Sequence, residues 1–131
     1  MLSIVACRAF STTARRLRKI FTVSDSETFM DKVLNNDVPV IVNFHAEWCD
    51  PCKLLTPKLE ELVLPLPGID LAVVDVEACP ELVHAFEVKA VPAVIAVRSG
   101  LVVDKFIGLV DAKNIEDFIM KLSKQSQPPQ S

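Results

Sequence analysis

The residues best suited to chemistry are two cysteines, two residues apart, in Trp48-Cys49-Asp50-Pro51-Cys52-Lys53. The apolar run Val40-Ile41-Val42-Asn43-Phe44 precedes them and a leucine-bearing helical pattern follows. A strand that delivers a cysteine to the start of a helix puts its sulfur among unpaired amides, at the positive end of the helix dipole. Both favour an anion, so a thiolate is accessible near neutral pH. The second cysteine lies one helical turn on, within reach of the first. That arrangement predicts a reversible dithiol–disulfide switch, in which one thiolate attacks a disulfide and the other resolves the adduct.

The competing use of a CxxC pair is metal binding. One pair supplies half of a tetrahedral site, and the sequence has no second CxxC. Cys79 and His84 would complete the set only across a predicted strand and turn, so no metal is expected. A cluster bridging two chains is the form a metal site would take. Cys79 by itself is expected to be a surface or semi-buried thiol at a helix start, not a second active site. His45 is expected to be a packing residue and His84 an ordinary helix-surface residue.

The scaffold for such a site has to come from 131 residues, half of them apolar. That is enough for one domain whose core needs no disulfide staples. No apolar run is long enough to span a bilayer, and no membrane association is expected. The charge is unevenly spread. Arg8, Arg15, Arg16, Arg18 and Lys19 all precede the first acid, Asp25. Residues 1–19 are therefore acid-free, arginine-rich and dotted with hydroxyls, the pattern of a mitochondrial transit peptide that is removed after import. A cut anywhere from Phe10 to Lys19 fits. The alternative is a basic arm that stays attached. Without residues 1–19 the chain keeps 9 Lys and Arg against 17 Asp and Glu. So acidic a body argues against nucleic acid as a partner.

Along the body, Ile20–Val23 predicts a short strand, and Ser24-Asp25-Ser26-Glu27 has the spacing of a capping box. The helix it opens carries Phe29, Val33 and Leu34 and ends at Asn35-Asn36-Asp37. Val38–Phe44 is a strand covered on both faces. The helix after the cysteines runs on through Leu54, Leu55, Leu59 and Leu62, with a kink expected at Pro57. Ile69–Val76 is a second buried strand, and Cys79 to Phe86 a short helix. Val91–Val97 and Val102–Ile107 form a hairpin around Arg98-Ser99-Gly100. A last helix capped by Asp111 carries Ile115, Phe118, Ile119 and Leu122. A loose tail, residues 125–131, ends the chain. The alternation predicts an α/β fold with helices on both faces of a mixed sheet.

Residues 20–124 resemble the thioredoxin family, with the leader pointing to its mitochondrial branch. The resemblance rests on Phe44-His45-Ala46-Glu47-Trp48-Cys49, Pro51-Cys52-Lys53, Pro57, Val91-Pro92, Gly100 and Gly108, in that order. The resemblance also implies a lowered thiol pKa at the first cysteine. The resemblance implies a protein-disulfide reductase of thioredoxin fold: Cys49 attacks, Cys52 resolves. Pro92 would be cis and would turn the Val91 backbone toward Cys49 for a substrate strand. Trp48, Val76, Val91, Ile107 and Gly108 would form the docking surface. No cofactor would be bound. Electrons would come from NADPH through thioredoxin reductase, in the mitochondrial matrix, with peroxiredoxin and other disulfide-containing proteins as customers.

Three positions depart from the family pattern. Asp50 stands where Gly is usual and opposes the Cys49 thiolate electrostatically, although an acid in a first helical turn is locally favourable. Asn43 stands where most members bury an Asp credited with moving the resolving cysteine's proton, and an amide cannot accept one. Val73 stands near where many members carry the Lys that pairs with that Asp. Losing both partners together is coherent, because a buried charge left alone is costly. Proton transfer would then rely on water, Asp50 or Glu47. The same departures admit a second function class, a catalytically weak binding adapter or redox sensor.

Overall fold

The structure, a computed structural model, describes residues 19–125. The expected transit segment before Lys19 and the expected tail beyond Gln125 lie outside the described residues, as does Cys7. The elements run β1 (Ile20–Val23), α1 (Ser26–Phe29, continued as a π-helical turn over Met30–Leu34), β2 (Val40–His45) and α2 (Asp50–Val63). They continue with β3 (Asp70–Asp75), α3 (Pro80–Ala85), β4 (Ala93–Arg98), β5 (Leu101–Ile107) and α4 (Ala112–Gln125).

The five strands form one sheet in the order β1-β3-β2-β4-β5. The first three are parallel; β4 and β5 are antiparallel to their neighbours. Because successive strand residues face opposite sides, β2 feeds two cores. Val40, Val42 and Phe44 pack with Phe29, Val33 and Leu82 under α1 and α3. Ile41 packs with Leu55, Leu59, Val63, Ile115 and Ile119 under α2 and α4. Asn43 shares the parity of Ile41, so it too lies on the α2 side. Each fully buried Leu or Val adds about 1.5–3 kcal/mol over its exposed state, which explains why the central strand is apolar almost throughout.

Several sequence boundaries move by a residue or two. The strand expected from Val38 starts at Val40, and the one expected from Val91 starts at Ala93, since Pro39 and Pro92 have no N–H for the ladder. The helix cap is Asp25 rather than Ser24: Asp25 Oδ1 accepts from Thr28 N at 2.7 Å. Of the four leucines along α2, Leu54 is 67% exposed. The stripe at Leu55, Leu59 and Val63 repeats every four residues and takes the core side instead. Ser99 and Gly100 both have positive φ, 53° and 80°. That pair is what a two-residue hairpin turn between right-twisted strands requires.

Candidate active site

The strand β2 ends at His45, and four residues later Cys49 caps α2. Its Sγ accepts a hydrogen bond from the Cys52 backbone N–H at 3.2 Å, which meets one of the orphan amides of the first turn. Asp50 and Pro51 fill the first two helical positions; proline's missing N–H is harmless there. Cys49 and Cys52 are joined in a disulfide with their Cα atoms 5.3 Å apart. Both are nearly inaccessible, at 4% and 2% exposure. Val76 and Val91 pack against the pair together with Ala46.

The Val91–Pro92 peptide is cis. Gly108, at φ 87°, donates its N–H to Pro92 O at 2.7 Å, which ties the end of β5 to the loop beside the cysteines. Around this centre Trp48 is 66% and Ile107 55% exposed. Leu109 is exposed as well. The sequence reading passed over it, and its position directly after Gly108 was the available signal. The five residues expected to form a docking surface thus fall into two groups. Val76 and Val91 touch the sulfurs' own cluster, whereas Trp48 and Ile107 present apolar surface to solvent, with Gly108 braced against Pro92.

Asp50 points to solvent and pairs with Lys53 at 3.8 Å, one turn along α2. Lys53 offsets part of the Asp50 charge at the Cys49 end of the helix. Asn43 is wholly buried. Its Nδ2 donates to Thr56 Oγ1 at 2.8 Å, and its Oδ1 has no hydrogen-bond partner. A buried acceptor left unmet typically costs about 1–3 kcal/mol. Thr56 was missed at the sequence level, although a hydroxyl four residues after Cys52 on an otherwise apolar helix face is a readable signal. Val73 is the direct β3 neighbour of Asn43.

Cys79 stands at the start of α3 as expected, but it is more deeply buried than the surface or semi-buried thiol anticipated: it is 3% exposed, with its Sγ 3.6 Å from Val23 O. Burial, followed by the negative charges of Asp75 and Asp25, pushes its thiol pKa up. Among the described residues, no group of three or more His, Cys, Asp or Glu is placed to hold a metal ion. No described helix is long and apolar enough to cross a membrane.

The family model described as Thioredoxin matches residues 20–121. The chain belongs to the thioredoxin family. It is 45% identical over 116 residues to the mitochondrial thioredoxin of Rattus norvegicus, which spans 88% of this chain and 69% of that protein. It is 42% identical over 101 residues to the probable thioredoxin-2 of Caenorhabditis elegans, covering 76% of this chain and 70% of that one. Reduced Schistosoma mansoni thioredoxin pre-protein superposes with a TM-score of 0.69 at 27% identity, over 79% of this chain and 98% of its own. Together with the Cys49–Cys52 disulfide, these relationships make the chain a thiol–disulfide oxidoreductase of the mitochondrion. Thioredoxins carry out this exchange without a bound cofactor.

Proposed function

We propose that Cys49 is the attacking and Cys52 the resolving cysteine of a protein-disulfide reductase. One observation carries the assignment: Cys49 Sγ is itself the cap of α2, accepting from Cys52 N, so a negative charge on that sulfur would be met by a helix amide. Thiolate attack by Cys49 on a target disulfide breaks the target's S–S bond and forms a mixed disulfide. Cys52 then attacks Cys49 Sγ, gives up its proton, and the target's second sulfur leaves as a thiolate that takes a proton up. The protein ends oxidised and the target reduced. Trp48, Val76, Val91, Ile107 and Gly108 dock the target, with the backbone beside cis-Pro92 available to an extended strand. Pro51 and Asp50 shape the helix start.

In this reading NADPH supplies electrons through thioredoxin reductase, and peroxiredoxin and other disulfide-containing proteins are the targets, in the mitochondrial matrix. Nucleic acid and membranes are not partners. In this reading the leader is cut between Phe10 and Arg18 instead of taking all of residues 1–19 with it, because Lys19 is tied to the fold: its carbonyl accepts from Leu71 N at 2.7 Å. Its Nζ also donates to the carbonyls of Leu66 and Ile69.

The test is coupled turnover of residues 19–131 with a mitochondrial thioredoxin reductase, NADPH and insulin. NADPH consumption that disappears in Cys49→Ser and Cys52→Ser is the expected result, and Cys52→Ser should strand targets on Cys49 as mixed disulfides. A folded protein with a reducible Cys49–Cys52 pair but no turnover would instead support the adapter or sensor reading, which the uncharged Asn43 keeps open.

A further inference from the structure

One buried polar atom has no role in the cycle described so far. Asn43 Oδ1 lies in the α2-side core without a donor. Its flanking strand residues, Val73 and Val94, are apolar and have no side-chain hydrogen-bond donor to offer. On α2, the Cys52 amide is already engaged with Cys49 Sγ, and Pro57 has no N–H. The Thr56 oxygen is taken up as the acceptor for Asn43 Nδ2. In this arrangement the amide's nitrogen end rests on Thr56 and its oxygen end is left over.

Cys52 is four residues before Thr56, so the two side chains are neighbours on one face of α2. In the disulfide, Cys52 carries no hydrogen. Reduction by two glutathione thiols breaks the Cys49–Cys52 bond, transfers two electrons and two protons, leaves a thiol on each cysteine and releases glutathione disulfide. A thiol donor, weak but buried, then appears on Cys52, one helical turn from the group that anchors Asn43.

We propose that Thr56 is a positioning residue for the resolving cysteine: it holds the Asn43 carboxamide so that Oδ1 accepts the Cys52 S–H in the dithiol state. This rests on the Cys49–Cys52 cycle proposed above. A hydrogen bond that exists only after reduction stabilises the dithiol relative to the disulfide, and it satisfies an acceptor that the disulfide form leaves unmet. Asn43 and Thr56 therefore act on the redox equilibrium, not as a base.

The experiment equilibrates the wild type, Thr56→Val, Thr56→Ser and Asn43→Leu with glutathione buffers of graded ratio at neutral pH. The reduced fraction of Cys49 and Cys52 is read by alkylation and mass spectrometry. Thr56→Val and Asn43→Leu should each shift the equilibrium about 3- to 10-fold toward the disulfide, the size of one modest hydrogen bond, while Thr56→Ser stays near wild type. Independently of those variants, the S–H stretch of Cys52 is read by infrared spectroscopy in Cys49→Ser, with Cys49→Ser/Cys52→Ser as the blank. A band lowered by hydrogen bonding is expected. A band at the free-thiol frequency, or an unchanged glutathione equilibrium in both Thr56→Val and Asn43→Leu, overturns the proposal and leaves the pair a packing feature. If the wild-type pair does not exchange with glutathione at all, the dithiol–disulfide reading itself falls, a result distinct from a shared equilibrium in wild type and variants.

Discussion

Asn43 on β2 stands directly beside Val73 on β3 in the parallel register, with the amide fully buried and no charge on either residue. A neutral pair at the heart of the sheet avoids the desolvation that an acid and a base would suffer there. Restoring a carboxylate should expose that trade. Asn43→Asp is expected to speed the pre-steady-state reduction of a target disulfide by about tenfold or more, since general acid–base help typically gives about 10²–10⁴-fold. Burial should raise the carboxyl's folded pKa, so its contribution to stability is complete below the unfolded pKa and is lost as pH rises through the folded one. Once ionised, an unpaired buried charge costs about 3–5 kcal/mol. Adding Val73→Lys should recover part of that loss. A rate equal to wild type in stopped-flow measurements would show that the missing base does not limit the reduction.

Asp50 and Lys53 set the local field at the Cys49 end of α2. Asp50→Gly removes a negative charge near the sulfur and leaves the Lys53 cation unopposed, so the Cys49 thiolate should form at lower pH. Titrating thiolate absorbance in reduced protein checks this. Lys53→Gln should move the titration the other way, and no movement in either variant would show that solvent screens both charges.

Asp25 is a pH-sensitive cap. The bond from the Thr28 backbone N–H, with Thr28's side chain adding to it, holds its carboxyl below the usual carboxylate range. A depressed folded pKa contributes stability that is present above the unfolded value and is lost as pH falls through the folded one. Thermal melts from neutral pH downward should therefore show a smaller acid-induced drop in Asp25→Ala than in wild type, from a lower starting point. Parallel curves would remove Asp25 from the acid response.

Cys79 should be nearly inert. Its burial and raised pKa keep it a thiol at neutral pH, and the thiolate is the reactive form. With the active pair reduced, iodoacetamide should modify Cys49 well before Cys79, whose labelling should await unfolding. Because the folded pKa is raised, this thiol's contribution to stability is complete below the unfolded pKa and is lost as pH rises through the folded value. Fast native-state labelling of Cys79 would contradict its placement against Val23.

The two neighbouring faces of α2 separate cleanly. Leu59→Ala should destabilise the protein by about 2–5 kcal/mol, as expected for a buried leucine emptied into a cavity. Leu54→Ala, at an exposed position, should stay within about 0.5 kcal/mol. Denaturant unfolding of both variants in the oxidised state compares them directly.

Local order was legible in the sequence because local rules decide it. The β-branched run through Ile41 and Val42 gave away a central strand, the four-residue spacing of Leu55 and Leu59 a helix, and Ser99-Gly100 a turn. Cys49, Cys52 and Pro92 were recognisable because redox chemistry and backbone geometry restrict which residue types can stand there. Element ends were less legible, since Pro39 and Pro92 deny hydrogen bonds that composition alone does not reveal. What only the tertiary structure decided was partnership across distance. The adjacent Leu54 and Leu55 are alike as residue types, whereas the packing of α2 on the sheet buried Leu55 and turned Leu54 to solvent. Cys79 was buried by β1, more than fifty residues earlier in the chain. The pairing of Asn43 with Val73 is set by strand register, and its bond to Thr56 by how a helix crosses a sheet. A sequence specifies which groups are available; the fold decides which of them meet, because burial and hydrogen bonding are satisfied jointly by elements far apart along the chain.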